Sequence, residues 1–166
     1  GSTGAPKGVM QSHRNILHRA MIDTNRFHIC SHDRLSLLTS PSYSVSLRNL
    51  FSALLNGAAI CSFDIEKEGL NALAKWLSRG KITIYFSVPT VFRQLAGNLA
   101  QSDDLSQVRL VDLGGEPVKK CDVDIYKQYF PASCIFVNSL ASNEAGLYRN
   151  YFVDKETPIS VDVVPA

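Results

Sequence analysis

The sequence predicts an α/β fold, a mostly parallel sheet flanked by helices, and three observations predict it. Short apolar runs rich in β-branched and aromatic residues alternate along the whole chain with segments whose apolar residues recur at helical spacing. Glycine or proline stands where one kind gives way to the other, as at Gly57, Gly80 and Pro89. The composition, 45% apolar and 19% charged, is that of an ordinary globular chain and excludes a disordered or collagen-like one.

The elements follow in order. Ser12 is placed to cap a helix running to about Phe27, with Ile16, Leu17, Ala20, Met21 and Phe27 on its apolar face. Residues 35–38 read as a short strand. Val45, Leu47, Leu50, Phe51, Leu54 and Leu55 repeat as a helix does, and Gly57 ends it. Residues 58–63 read as a buried strand. Leu70, Leu73, Ala74 and Leu77 form the stripe of another helix, stopped by Gly80. Residues 82–88 are a strand, and Pro89-Thr90 opens a helix with Val91, Phe92, Leu95 and Leu99 facing inward. Strand 108–113, helix 118–129 and strand 134–138 come next, with a further strand at 147–153. In such sheets ligands sit outside the carboxyl ends of the strands, which directs attention to the loops at 40–43, 114–116 and 138–144.

Length and charge narrow the function. A chain of 166 residues fits one ordinary domain. Seventeen basic residues against fifteen acidic ones, with no basic block, indicate neither a nucleic-acid nor an anionic-membrane partner. The apolar-leaning stretch 50–63 is interrupted by Ser52, Asn56, Gly57 and Ser62, too short and polar for membrane insertion. Cys30, Cys61, Cys121 and Cys134 are scattered without a Cys-x-x-Cys pair and read as buried reduced thiols. His13 and His18 suit a helix surface, and no histidine matches a metal-binding spacing. A reducing, cytoplasmic setting fits.

The chain opens on Gly1-Ser2-Thr3-Gly4-Ala5-Pro6-Lys7-Gly8, small residues, hydroxyls and one lysine, the makings of a phosphate-binding loop. A flexible terminus is the other reading. A Walker loop needs glycine where Pro6 stands and a hydroxyl where Gly8 stands, so that NTPase class is disfavoured.

Continued through Val9 to Gln11-Ser12-His13-Arg14-Asn15, this loop resembles the signature of the adenylate-forming superfamily: acyl-CoA synthetases, luciferases and the adenylation domains of nonribosomal peptide synthetases. Four further stretches resemble that superfamily in the same order. They are Tyr43-Ser44-Val45-Ser46 with the helix after it, residues 82–90, Leu113-Gly114-Gly115-Glu116-Pro117, and Asn138-Ser139-Leu140-Ala141-Ser142-Asn143-Glu144. The peptide-synthetase adenylation domains look most similar. The resemblance implies ATP-dependent activation of a carboxylic acid as an acyl-adenylate. It implies Ser2, Thr3, Gly4 and Lys7 on the β- and γ-phosphates, and Glu144 on Mg²⁺. Gly114, Gly115 and Glu116 would border adenine, Asn138 would meet the base or the loop below it, and Asn143 would donate to phosphate. Thr3 and Glu144 are the implied catalytic residues. The implied acid pocket comprises Tyr43, Ser44, Val45, Arg48, Phe86, Asp112, Gly114, Ser139, Leu147 and Tyr148. The acceptor thiol would be phosphopantetheine on a carrier protein, or coenzyme A in a free-standing ligase.

Three departures from the family pattern sharpen this expectation. Ser44 stands where amino-acid-activating members carry an aspartate for the α-ammonium group, which points to an acid without a free α-amine. Arg48 in the pocket suggests a second anionic group on the substrate, or simply an exposed helix face. Leu140, Ala141 and Asn143 replace Tyr, Gly and Thr of the last motif, as a non-catalytic nucleotide-binding module also allows. Finally, no residue here matches the family's ribose-binding aspartate or its adenylation lysine. Residues 1–166 are therefore expected to be part of an AMP-binding domain truncated at both ends, inactive by itself.

Overall fold

The computed structural model of the chain describes residues 8–100, 102–142 and 144–165. Ser12 caps α1 (His13–Phe27): its hydroxyl accepts from the Asn15 backbone N–H, and the Asn15 side chain accepts from the Ser12 backbone. The chain then runs through β1 (Arg34–Leu37), α2 (Ser44–Leu54) and β2 (Ala59–Ser62), with Gly57 at φ 67° turning it between the last two. A short α3 (Ile65–Glu68), capped by Asp64, and a 3₁₀ turn at Leu70–Ala72 lead into α4 (Leu73–Arg79). There follow β3 (Ile84–Ser87), α5 (Pro89–Gly97) with its proline in the first turn, β4 (Leu110–Gly114) and α6 (Lys120–Tyr129). The eight-residue strands β5 (Ile135–Ser142) and β6 (Gly146–Val153) come last.

Among the described residues six strands form one sheet in the order β2-β1-β3-β4-β5-β6. All neighbours are parallel except β5 and β6, an antiparallel hairpin. Side-chain alternation divides the core in two. Tyr85, Val111, Leu113 and Phe136 face α4, α5 and α6, packing with Leu73, Leu77, Phe92, Leu95, Val123 and Tyr126. Ile84, Phe86, Leu110 and Val137 face the other way, onto Phe27 of α1 and Ala53 of α2. Phe92 lies against the rings of Tyr85, Phe130 and Phe136, and burying each such side chain contributes about 1.5–3 kcal/mol.

Four sequence expectations change. Leu17 and Met21 are 52% and 54% exposed, because the inward stripe of α1 is Ala20, Asp23 and Phe27. Asp23 is held there by arginines, so a stripe counted from apolar residues alone points the wrong way. Residues 59–62 are not a buried strand: β2 is the sheet edge and its residues are half-buried or exposed. Of the four thiols, all free, only Cys134 is buried; Cys61 is half-buried, and Cys30 and Cys121 are exposed. Residues 138–142 are strand rather than loop, since pairing of β5 with β6 overrides their polar local character.

Candidate functional site

The strand order reverses between β1 and β3, the place where an open α/β sheet forms a ligand crevice outside its carboxyl edge. The pairing of these two strands is short. Leu35 sits opposite Ile84, and one step further the Phe86 N–H donates to the Ser36 hydroxyl (2.8 Å) instead of a main-chain carbonyl. The loop after β1 is pinned to α2 by Ser46, whose hydroxyl donates to the carbonyls of Thr39 (2.9 Å) or Ser40 (2.8 Å). Tyr43 precedes the first turn of α2 and is 55% exposed, while Ser44 and Val45 are half-buried. These three stand at the crevice mouth.

Register then gathers the rest of the implied pocket. Phe86 is opposite Asp112, and Gly114 is opposite Ser139, all on the face covered by α1 and α2. Into this face reaches Arg48 from α2. Its Nη2 donates to Asp112 (2.9 Å), its Nε approaches Asp23 (3.3 Å), and its guanidinium lies 4.3 Å from the centroid of Phe86. The Ser139 hydroxyl donates to Asp112 (2.5 Å) and accepts from Asn150 (2.6 Å), whose carbonyl oxygen accepts from Arg26 (2.6 Å). Asp23 also accepts from Arg19 Nε (3.2 Å); the Arg19 Nη2–Asp23 Oδ1 approach of 3.1 Å is an ion contact poorly angled for a hydrogen bond. Burial pushes Asp112 above its ordinary pKa, outweighing the opposing pull of Arg48 and the Ser139 hydroxyl. The two arginines Arg19 and Arg48 balance Asp23 and Asp112, so the cluster is neutral. Arg48 is thus neither an exposed helix residue nor a charge waiting for a substrate anion: its side chain is 9% exposed and already faces two carboxylates.

The loop after β4 is shaped by two glycines. A Cβ on Gly114 would stand 2.7 Å from the Ser139 carbonyl oxygen, so β4 and β5 approach at a distance only glycine permits. Gly115 adopts φ 84° and is exposed, leaving bare backbone at the carboxyl edge. Glu116 turns its carboxylate away to the start of α5, accepting from the Thr90 N–H (3.0 Å) and hydroxyl (2.6 Å). Asn138, facing the opposite side of the sheet from Ser139, donates its amide to the carbonyls of Val164 (3.1 Å) and Pro165 (2.9 Å).

Glu144 is exposed in the turn joining β5 to β6, on the carboxyl side of the sheet. Leu147 is half-buried, and Tyr148, 57% exposed, shares a hydrogen bond with Ser142 (2.9 Å). Among the described residues no group of three His, Cys, Asp or Glu is placed to hold a metal by itself. Ser2, Thr3, Gly4, Lys7 and Asn143 lie outside the described residues. Three members of the cluster, Arg19, Asp23 and Asn150, escaped sequence reasoning. Asp23 had a signal in its spacing of four from Arg19 on one helix; Asn150 had only its alternation with Tyr148 along β6.

Among the described residues, surface cavities also lie away from this edge. One of about 300 Å³ opens at the amino ends of β4 and β5, between Arg26, Arg109 and Phe152. Another, about 220 Å³, separates α1 from α2 beside Leu17, Met21 and Leu55.

A doubly wound sheet with its glycine turn, hairpin tip and helix start gathered on one carboxyl edge defines a class of α/β ligand-binding domain. Within that class the chain belongs to the AMP-binding enzyme family, which matches residues 1–162. Malformin synthetase mlfA of Aspergillus brasiliensis is 32% identical over 136 residues, covering 82% of this chain and 2% of that protein. The nonribosomal peptide synthetase vlms of a Lecanicillium species is 30% identical over 151 residues, 91% of this chain and again 2% of its own length. The chain therefore spans a small fraction of these relatives. In structure it resembles the Vibrio cholerae adenylation domain AlmE, solved with glycyl-adenosine-5'-phosphate. The TM-score is 0.84 at 21% identity, over 98% of this chain and 30% of that one. No described helix is long and apolar enough to cross a membrane.

Proposed function

We propose that this chain is an interior portion, within residues 1–166, of a carboxylate-activating adenylation domain in a peptide-synthetase-like protein of the cytoplasm. The observation that carries the reading is convergence. The start of α2, the Gly114-Gly115 turn and the β5–β6 tip occupy one sheet edge in a chain that matches the AMP-binding family over 162 residues. In the reaction a substrate carboxylate oxygen bonds to the α-phosphorus of ATP, and the bond to the bridging oxygen breaks to release pyrophosphate. Acyl transfer to a thiol, phosphopantetheine on a carrier protein or coenzyme A, frees AMP.

The chain's own residues supply positioning and charge. Gly115, exposed at positive φ, fits the close approach of a planar base to the backbone. Glu144 is one exposed carboxylate, which suits Mg²⁺, an ion that takes one or two protein carboxylates and fills its shell with phosphate and water. Bound there, Mg²⁺ would neutralise phosphate charge. Thr3, with Ser2, Gly4 and Lys7, is assigned to the β- and γ-phosphates, and Asn143 to a phosphate oxygen. Ser44 provides no negative charge beside the acid, which favours substrates lacking an α-ammonium group.

ATP–pyrophosphate exchange in the complete protein, with a panel of carboxylic acids, tests the reading. Exchange is expected with a hydroxy, keto, aryl or fatty acid, and Glu144→Gln is expected to lower it at least tenfold while raising the Mg²⁺ requirement. Hydrolysis of ATP without any acid, or no exchange with any acid, would refute it. Exchange confined to α-amino acids would overturn the reading of Ser44 alone.

A further inference from the structure

On the adenylation reading the Arg48–Asp112 pair falls among the residues assigned to the acid pocket, and its side chains occupy that space. Phe86, Asp112, Gly114 and Ser139 share one face of the sheet at its carboxyl side, under the start of α2. Arg48 covers the Phe86 ring at 4.3 Å and closes onto Asp112 at 2.9 Å. Ser139, the other polar group of this face, has its hydroxyl hydrogen on Asp112 and accepts from Asn150. Asp112 and Ser139 are 2% and 5% exposed, so none of this is a solvated surface pair.

Resting on the adenylation reading above, we infer that the Arg48–Asp112 pair, braced by Asp23 and Ser139, plugs the inner end of the acid pocket, so that the site selects a short, uncharged acid. Three physical arguments support the plug. A guanidinium that donates to Asp112 and to the Asn49 amide oxygen, with Asp23 beside it, cannot turn to a further carboxylate without leaving Asp112 buried and unpaired, which excludes a second carboxylate on the substrate. A long alkyl or aryl tail would need the volume that Arg48 occupies over Phe86. Moving Arg48 aside would expose both Asp23 and Asp112 to an apolar tail, an arrangement far costlier than the tail's own burial is favourable.

The test uses the complete protein and ATP–pyrophosphate exchange with straight-chain acids from two to ten carbons, phenylpropanoic acid, and the dicarboxylates succinate and glutarate. The wild type is expected to prefer acids of two to four carbons, with kcat/KM for the long and dicarboxylic acids at least tenfold lower. Removing both members of the pair, Arg48→Ala with Asp112→Ala, keeps the site neutral because Arg19 still faces Asp23. This double variant is expected to raise the long-to-short ratio of kcat/KM at least tenfold. Arg48→Met with Asp112→Asn, which retains volume, is expected to leave the length preference near that of the wild type; a rise as large as that of the alanine pair would overturn the plug. A wild type that accepts decanoate, phenylpropanoate or a dicarboxylate as well as a short acid overturns the plug whatever the variants do. So does a folded double alanine variant with unaltered preference. Absence of exchange with every acid removes the adenylation reading and the plug with it, whereas exchange without length selection removes the plug only.

Discussion

Gly114→Ala isolates the close approach of β4 and β5 beside the candidate site. The added Cβ would lie 2.7 Å from the Ser139 carbonyl oxygen and 3.5 Å from the Ser139 Cβ. Carbon–oxygen contact becomes comfortable near about 3.3 Å, so this rung must open by roughly 0.6 Å. The obstructing atom is backbone of a buried strand and has no rotamer to change. Overpacking of this kind costs about 1–3 kcal/mol. The displaced residue, Ser139, also holds Asp112 and Asn150, so the disturbance reaches the acid pocket proposed above. Urea denaturation of the complete protein is expected to show a loss in that range, and exchange assays a higher KM for the acid. Gly97→Ala is the control: Gly97 ends α5 with nothing within 4 Å of the methyl group the substitution adds, so the change is expected to be neutral or to stabilise by up to about 1 kcal/mol. A Gly114→Ala protein as stable as the wild type, within about 0.5 kcal/mol, would refute the geometry argued for this rung.

Two further outcomes are expected. Cys30 and Cys121 are exposed, whereas burial pushes the Cys134 thiol up to about 12, so a thiol reagent near pH 8 should modify the first two quickly and Cys134 only after denaturation, as peptide mass spectrometry would read. Burial alone would raise the Asp33 pKa, but hydrogen bonds from Arg109, Thr83 and the Cys30 N–H, with the charge of Arg109, hold it below the ordinary value. Its unfolded pKa is about 3.9, so the stabilisation is complete above that and is lost as pH falls through the folded value. The difference in urea midpoint between wild type and Asp33→Asn should hold steady from about pH 7 to 5 and narrow below about pH 4; narrowing already above pH 5 contradicts this.

Most elements were legible because their signals are local. Ser12 caps a helix, Pro89 opens one, and Gly57 turns the chain at positive φ, each for reasons carried by the residue itself. The environment of Arg48 was not legible. Its partners lie 25 residues upstream, at Asp23, and 64 residues downstream, at Asp112, and only the folded sheet brings them together. The extent of β5 was hidden for a similar reason: Ser139 and Ser142 read as loop until β6 supplies the opposite half of the ladder. The functional stretches stood out through their motif order, but the neutrality of the pocket cluster is a property of the assembled face.

The short pairing of β1 with β3 divides the sheet into two groups of strands. One is β1 and β2 with α2 docked on them; the other is the four strands from β3 to β6. Along the seam toward the carboxyl edge, the fasteners are side chains: the Ser36 hydroxyl under the Phe86 N–H, and Arg48 reaching across to Asp112. A substitution at Ser36 or Arg48 therefore removes a fastener between the two groups of strands as well as changing the chemistry of the crevice wall.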